Sequence, residues 1–141
     1  MSCNGNYYPS SPLYQLRTEQ PILTLDHYRS LIASGKVVVF FTASWCGPCK
    51  KIKQNLWPEL RNVYGQVSSI AFVMIDVDKN PEIAEAEGVN ALPTFKFYTN
   101  GRKAYHDVCG GNETLIKNGT QALYQYEFRK VEPVPRAYLG N

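Results

Sequence analysis

The stretch VVVFFTASWCGPCK, residues 37–50, decides the fold. Its first five residues are β-branched or aromatic, which is typical of a strand buried on both faces inside a sheet covered by helices. Cys46 and Cys49 follow, separated by Gly47 and Pro48. Farther along, apolar residues recur at steps of three and four, which predicts the buried face of a helix. That face comprises Cys49, Ile52, Leu56, Leu60 and Val63.

Patterns on both sides of this stretch predict further elements. Asp26 is expected to cap a helix that ends at Gly35. Asn100-Gly101 is a strong signal for a hairpin turn. The helix near the C-terminus contains Asn118-Gly119, which is a potential break. The other predicted elements are strands at 22–25, 70–77, 95–98 and 103–108 and helices at 81–87 and 112–131.

This order of elements predicts one α/β domain. Strands alternate with helices and a hairpin follows, so we expect a mixed sheet, part parallel and part antiparallel, with helices on both faces. The domain is expected at residues 21–131. Residues 1–20 and 132–141 lack periodicity and are expected to be tails.

Composition excludes several classes of protein. The chain has 141 residues, of which 44% are apolar, and this composition suits one domain with a core. No apolar run, including residues 37–41, is long enough to span a bilayer. The formal net charge of +3 comes from scattered charges and predicts no nucleic-acid binding. The first residues, MSCNGNYYPSSP, show no secretory pattern, so we expect a cytoplasmic protein.

Two cysteines at this spacing are compatible with half a zinc site, a structural disulfide or a redox catalyst. The chain has four cysteines, and Cys3 and Cys109 are far from the pair in sequence. A zinc site would need Cys46 and Cys49 to be joined by two distant ligands, such as His106 and Cys109. This alternative remains open at the level of the sequence.

The predicted position of the pair favours disulfide exchange. Cys46 follows a buried strand and opens a helix, where backbone N–H groups and the helix dipole should lower the pKa of its thiol. Cys49 lies one turn farther on the apolar face and should be less exposed. We expect Cys46 to attack a target disulfide and Cys49 to resolve the mixed disulfide.

The hexapeptide WCGPCK resembles the active site of the thioredoxin family. The resemblance continues in DVDKNPEIAEAEGVNALPTFKFYTNGRK, residues 76–103, and covers most of residues 21–131. It implies a thioredoxin fold and a monomeric dithiol–disulfide oxidoreductase that reduces proteins through a reversible Cys46–Cys49 disulfide. It implies no other cofactor and no metal. Disulfide-containing proteins would be the substrates, and a thioredoxin reductase or the glutathione system would supply electrons.

The resemblance also assigns roles around the pair. It places Trp45, Gly47, Pro48 and Lys50 in the active-site loop. It implies a cis bond before Pro93 that faces the cysteines. Together with Trp45 and the backbone of Leu92, Pro93 would bind an extended target peptide.

The chain departs from the family pattern in its core. The family usually carries a buried Asp six residues before the first cysteine, where this chain has Phe40, and often pairs it with a Lys where this chain has Met74. Because both polar members are replaced together, no unpaired buried charge remains. In the family that Asp is thought to assist deprotonation of the second cysteine. We therefore expect slower resolution by Cys49, and a binding module with weak redox turnover is the alternative function.

Two further positions differ from the family. The helix-kinking proline is replaced by Gln54, and Pro58 follows one turn later, so that either the kink has moved or the helix ends at Trp57-Pro58. Cys109 is interpreted as a small apolar residue at the end of a strand. The alternative is an accessory thiol near the active site.

Overall fold

The structure, a computed structural model, describes residues 23–65 and 69–131, and both predicted tails lie outside these residues. The strands are β1 (Lys36–Thr42), β2 (Ala71–Asp76), β3 (Thr94–Thr99) and β4 (Arg102–Cys109). The helices are α1 (Leu25–Ala33), α2 (Gly47–Lys51, a π-helical turn Ile52–Leu56, and Trp57–Tyr64), α3 (Pro81–Ala86) and α4 (Glu113–Val131). No helix in the described part of the chain is long and apolar enough to cross a membrane.

The sheet is mixed, as predicted, with strand order β2-β1-β3-β4. Strands β1 and β2 run parallel, whereas β3 is antiparallel to both of its neighbours, β1 and β4. All seven residues of β1 are buried, which confirms that this apolar run is an interior strand. Its carboxyl end leads directly into the two cysteines.

Helices cover both faces of the sheet. The side chains of β1 alternate: Val38 and Phe40 join the core beneath α2 and α4, whereas Val39 and Phe41 join the core beneath α1 and α3. This arrangement places α2, and the cysteines at its start, over one defined face of β1. We call the core on that face the α2/α4 layer.

The chain segment before β1 differs from its prediction. Leu23 and Thr24 form no strand and Leu25 begins α1, so the strand predicted at 22–25 is wrong where it is described; Ile22 lies outside the described residues. Thr24, not Asp26, caps α1, because its side chain accepts a hydrogen bond from the His27 N–H at 3.0 Å. The Thr24 hydroxyl lies two residues before Asp26 and caps the backbone N–H groups at the start of α1. The sequence prediction did not consider it.

Helix α2 continues through Trp57-Pro58. The backbone N–H of Trp57 donates to the carbonyl of Ile52, which is the wider hydrogen bond of a π-helical turn. Pro58 opens the α-helical segment that follows, a position where its missing N–H is tolerated. The irregularity therefore lies within the helix and does not end it. Val63 is exposed and was wrongly assigned to the buried face; the extra residue in the π-helical turn rotates the positions after it.

Helix α4 is unbroken at Asn118-Gly119, contrary to the potential break in the sequence. A Cβ added at Gly119 would lie 2.4 Å from Cζ of Phe97, so the glycine lets α4 approach the sheet closely. The missing side chain permits this packing, and the low helix propensity of glycine is outweighed by the contacts of the rest of α4.

The other elements confirm their predictions. Strands β3 and β4 are joined through Asn100 and Gly101, which have φ angles of 50° and 83°, as the hairpin signal requires. Helix α3 is followed by Gly88, which has a φ of 67°. The short helix and the hairpin therefore form where turn chemistry and periodicity agree.

A network of polar side chains lies beside the other core, under α1 and α3. The hydroxyl groups of Tyr28 and Tyr98 both donate to Glu87. Nζ of Lys96 is buried and lies 2.8 Å from Oδ2 of Asp107. Nζ of Lys103 lies 2.9 Å from the other oxygen of this carboxylate, Oδ1. Burial and the neighbouring Glu87 raise the pKa of both tyrosines. Burial alone would raise the pKa of Asp107, but hydrogen bonds from Lys96 and Lys103 hold it below 3.8.

Candidate active site

The motif lies where β1 ends and α2 begins. The backbone N–H of Cys46 donates to the carbonyl of Ala43 at 3.1 Å, which turns the chain towards the helix. Cys46 then occupies the N-cap position, and its Sγ accepts a hydrogen bond from the N–H of Cys49 at 3.2 Å. This contact is the geometry that stabilises negative charge on a sulfur at a helix start.

Cys46 and Cys49 form a disulfide, with their Cα atoms 5.3 Å apart. Cys49 is fully buried, and Cys46 is only 4% exposed in this oxidised form. Cys49 is the less exposed of the two, as expected from its place on the apolar face. Gly47 and Pro48 between them are exposed at the start of α2, and Lys50 is exposed just beyond Cys49.

The zinc alternative does not fit this arrangement, because the sulfurs of Cys46 and Cys49 are bonded to each other. The ring of His106 stacks on Tyr105, with centroids 4.2 Å apart, and its Nδ1 lies 3.1 Å from the carbonyl oxygen of Asp107. Within residues 23–65 and 69–131, no group of three or more His, Cys, Asp or Glu residues is placed to hold a metal ion.

Trp45 presents its ring to solvent beside the disulfide. The side chain is 67% exposed, yet its Nε1 donates to Oδ2 of Asp78 at 2.8 Å. Asp78 is in turn held by a turn in which its own N–H donates to Oδ1 of Asp76 at 2.9 Å. The two aspartates were not singled out in the sequence. They follow β2, whose carboxyl end lies beside that of β1, and this edge of a sheet is where functional side chains gather.

The Leu92–Pro93 peptide bond is cis, as the resemblance implied. Pro93 is buried, and its carbonyl accepts a hydrogen bond from the N–H of Gly110 at 2.8 Å. Leu92 is half-buried and packs against both cores. These contacts hold the loop before β3 between the two layers, with the Leu92–Pro93 step at the same end of the sheet as the disulfide.

Cys109 is the last residue of β4 and an exposed free thiol. It pairs with Thr94 across the strands, and Oγ1 of Thr94 donates to its Sγ at 3.8 Å. Its place at the end of a strand confirms the prediction, but a buried apolar role is wrong. Because Thr94 follows Pro93, the Cys109 thiol lies beside the cis-proline loop.

A sequence model of the Thioredoxin family matches residues 19–121. The chain belongs to the thioredoxin family. The Cys46–Cys49 disulfide fits the CGPC-type motif of this family, and the chain is a thiol–disulfide oxidoreductase.

Individual relatives support this assignment. The chain is 46% identical to a thioredoxin of Geodia cydonium over 81 residues, which are 57% of this chain and 73% of the relative. It is 35% identical to thioredoxin Asp f 28 of Aspergillus fumigatus over 107 residues, 73% of this chain and 92% of the relative. The structure of oxidised mitochondrial thioredoxin 3 from Saccharomyces cerevisiae is similar, with a TM-score of 0.65, 34% identity, and coverage of 77% and 96% of the two chains.

The core beneath this thioredoxin active site is apolar at the two positions that differ from the family pattern. Phe40 and Met74 are buried partners on β1 and β2. The Phe40 ring stacks on Phe95 at 4.6 Å and lies 5.2 Å from the ring of Trp57. Trp57 is fully buried and was overlooked because it falls outside the predicted apolar stripe. Aromatic packing therefore fills the place of a buried ion pair.

Proposed function

We propose that this thioredoxin domain reduces disulfides of protein substrates. The observation that carries the proposal is the Cys46 sulfur at the N-cap of α2, hydrogen-bonded by the Cys49 N–H and linked to the buried Cys49 sulfur. In the reduced protein this position favours a Cys46 thiolate. The thiolate attacks a substrate disulfide, and Cys49 then displaces the substrate as a thiolate while the Cys46–Cys49 disulfide forms.

We propose that substrates bind as extended segments across Trp45, Leu92 and Pro93. The ring of Trp45 offers exposed apolar surface, and its bond to Asp78 fixes the ring in place. The backbone at Leu92 would pair with a substrate strand, and side-chain contacts would be shallow. Such a surface suits flexible segments that flank a disulfide in many proteins.

The electron source and compartment are also proposals. A thioredoxin reductase or the glutathione system would reduce the Cys46–Cys49 disulfide after each turnover. An exposed free thiol at Cys109 is more typical of a reducing compartment, which supports a cytoplasmic location and a monomer kept free of intermolecular disulfides. Cys109 would act as an accessory thiol that forms mixed disulfides beside the cis-proline loop.

The redox equilibrium of the pair tests the main proposal. The protein is incubated in glutathione buffers of graded ratio, free thiols are alkylated, and the labelled cysteines are located by mass spectrometry. We expect one two-electron transition of Cys46 and Cys49 in the range of reducing dithiols. A transition in the range of strong oxidants would contradict a reductant. Cys109→Ser should leave the Cys46–Cys49 transition unchanged and remove only the mixed disulfide that Cys109 forms with glutathione.

A binding module is the second candidate, favoured by the apolar core at Phe40 and Met74. It would use the Trp45 and Pro93 surface to recruit a partner without turnover. Cys49→Ser separates the two functions, because a binding module keeps its partner whereas an oxidoreductase stops at the mixed disulfide. Reduction of insulin disulfides in the presence of a small dithiol is the readout of turnover. A wild-type protein that gives no reduction above the dithiol alone, with partner binding retained by Cys49→Ser, would favour the binding module.

A further inference from the structure

The Thr42 hydroxyl is a buried polar group with no role in the chemistry described above. Thr42 ends β1 and is 0% exposed, and its Oγ1 has no hydrogen-bond partner among the described residues. Buried hydroxyls without a partner are uncommon in folded proteins, because burial removes their hydrogen bonds to water. A group of this kind next to an active site calls for a functional explanation.

Strand alternation places the Thr42 side chain in the α2/α4 layer. Val38 and Phe40 point into that layer, so Thr42, two residues beyond Phe40, points the same way. Cys46 and Cys49 belong to the same layer. Thr42 therefore lies on the face of the sheet that carries the disulfide.

The direction of α2 places Cys49 over the end of β1 that contains Thr42. The chain turns back after β1, so residues nearer the start of α2 lie over residues nearer the end of β1. Trp57 contacts Phe40, with ring centroids 5.2 Å apart. Cys49 precedes Trp57 by two turns, about 12 Å at the usual helical rise. It consequently lies past Phe40, towards Thr42.

Among the described residues, the other core side chains that we place in this region are poor candidates for a donor to the Cys49 sulfur. Phe40, Met74 and Phe95 are apolar, and the Trp57 N–H lies at the far end of the two helical turns. Asp76, the partner of Thr42 on β2, accepts hydrogen bonds from the N–H groups of Asp78 and Lys79 with its Oδ1. The Trp57 Nε1–H is also buried without a partner in the described part of the chain, but it lies at the other end of these turns, so the Thr42 O–H is the donor that we assign to this sulfur.

We propose that the Thr42 hydroxyl donates a hydrogen bond to the Cys49 thiolate during resolution of the mixed disulfide. The proposal rests on the oxidoreductase function proposed above. A thiolate accepts hydrogen bonds more strongly than a disulfide sulfur, so the bond that we propose forms in the reduced protein, once the disulfide is open.

The step balances as follows. The Cys49 thiol loses its proton to solvent, and the Thr42 O–H stabilises the thiolate that remains. The Cys49 electron pair attacks Sγ of Cys46, the Cys46–substrate bond breaks, and the Cys46–Cys49 bond forms. The substrate sulfur leaves with the electron pair and takes a proton from solvent. The hydroxyl thereby performs part of the task that the absent carboxylate at Phe40 performs elsewhere in the family.

Charged groups facing this layer also influence the thiol. Lys96 on β3 points to the opposite face of the sheet, as Tyr98 does, and binds Asp107 there. Lys117 on α4 and Glu59 on α2 form an exposed ion pair. The buried charged residues on the strands and helix next to Cys49 are Lys36, Lys53, Arg61 and Asp76. Because Thr42→Val and Thr42→Ser leave all these charges in place, a difference between them reports the hydroxyl.

The test compares wild type with Thr42→Val, which removes the hydroxyl and keeps the shape, and Thr42→Ser, which keeps the hydroxyl. Reduced protein is mixed with a disulfide peptide, quenched in acid at intervals, and the mixed disulfide is measured by mass spectrometry. We expect Thr42→Val to resolve about tenfold more slowly at neutral pH, since a hydrogen bond to a charged group is of that strength. Attack by Cys46 should be unchanged, and Thr42→Ser should resolve at nearly the wild-type rate.

A second readout separates this role from a structural one. In a Cys46→Ser background, the alkylation rate of Cys49 is measured against pH. We expect Thr42→Val to shift this profile by about one pH unit to higher pH, which is the tenfold effect expressed as a pKa. If the hydroxyl has no role in the reaction, Thr42→Val should be as stable as wild type or more stable in denaturant. The rate at which Cys49 resolves the mixed disulfide and the pH profile of Cys49 alkylation should then be unchanged. That result would overturn the proposal.

The wild-type protein is the control for the proposed function itself. If wild type forms no mixed disulfide, or forms one that never resolves, the oxidoreductase proposal is wrong, and with it the role of Thr42. If wild type resolves and Thr42→Val resolves equally fast, only the role of Thr42 is wrong. Tenfold slowing with rescue by serine supports both.

Discussion

Phe40 shows how one residue changes the environment of a catalytic thiol. Its ring fills the core between Phe95 and Trp57, where the family pattern has a carboxylate. An apolar side chain there supplies no proton acceptor and lowers the local dielectric, both of which oppose formation of a Cys49 thiolate. The replacement of Met74 at the partner position avoids an unpaired buried cation.

Phe40→Asp should therefore accelerate resolution while it destabilises the fold. We expect faster decay of the mixed disulfide in the acid-quench measurement and a loss of about 4 kcal/mol of stability, from the lost ring contacts and the buried carboxyl group. Phe40→Asn is the matched control, because it makes the same cavity without an ionisable group. Equal rates for the two variants would show that the carboxylate has no effect in this core.

At the scale of the element, α2 and α4 are positioned by single residues that sequence rules treat as breaks. Pro58 follows a π-helical turn in α2, and Gly119 lies where α4 touches the Phe97 ring. Neither residue ends its helix, because the apolar faces of both helices remain packed on the sheet. Local propensity is a weak term compared with burial of a whole helix face.

Gly119→Ala should destabilise the protein although alanine favours helices. The new Cβ would meet the Phe97 ring at 2.4 Å, so the ring or the helix must shift. We expect a net loss of about 2 kcal/mol in denaturant unfolding, overpacking exceeding the gain in propensity. Asn118→Ala on the exposed side of α4 is the control, and it should be neutral or slightly stabilising. A stabilised Gly119→Ala variant would contradict the close contact.

At the scale of the whole molecule, the two faces of the sheet have different characters. The α2/α4 layer is apolar and holds the disulfide, whereas the polar network of Tyr28, Glu87, Tyr98, Lys96 and Asp107 lies on the other side. The raised pKa of the two tyrosines and the lowered pKa of Asp107 mean that the network changes its ionisation at the extremes of pH.

Asp107 should make stability depend on acidic pH. Its pKa in the folded protein is lowered from 3.8, because its hydrogen bonds to Lys96 and Lys103 outweigh the effect of burial. A lowered pKa means that its contribution is present above pH 3.8 and is lost as the pH falls through the folded value. We expect Asp107→Asn to be less stable at neutral pH and to converge with wild type in acid. Urea unfolding from pH 2 to 7 measures this, with the exposed Glu85→Gln as control; a constant difference would contradict it.

Much of the fold and site followed from local patterns. The interior strand β1, the cysteine pair at a helix start and the Asn100-Gly101 hairpin each depend on side-chain periodicity or on backbone angles that few residues adopt. These features depend on residues that are neighbours in the sequence, so they can be predicted without a structure. The resemblance of WCGPCK and of the segment around Pro93 added the cis bond.

Contacts between distant segments were decided only in the tertiary structure. Thr24 rather than Asp26 caps α1, Cys109 is exposed beside Pro93, and the indole of Trp45 binds Asp78. The buried Thr42 hydroxyl is equally invisible in the sequence, because its meaning depends on what α2 places over it. The sequence by itself determined the class of fold and the reacting sulfurs. Burial and hydrogen-bond partners were settled by packing, since they depend on atoms that meet only when the chain folds.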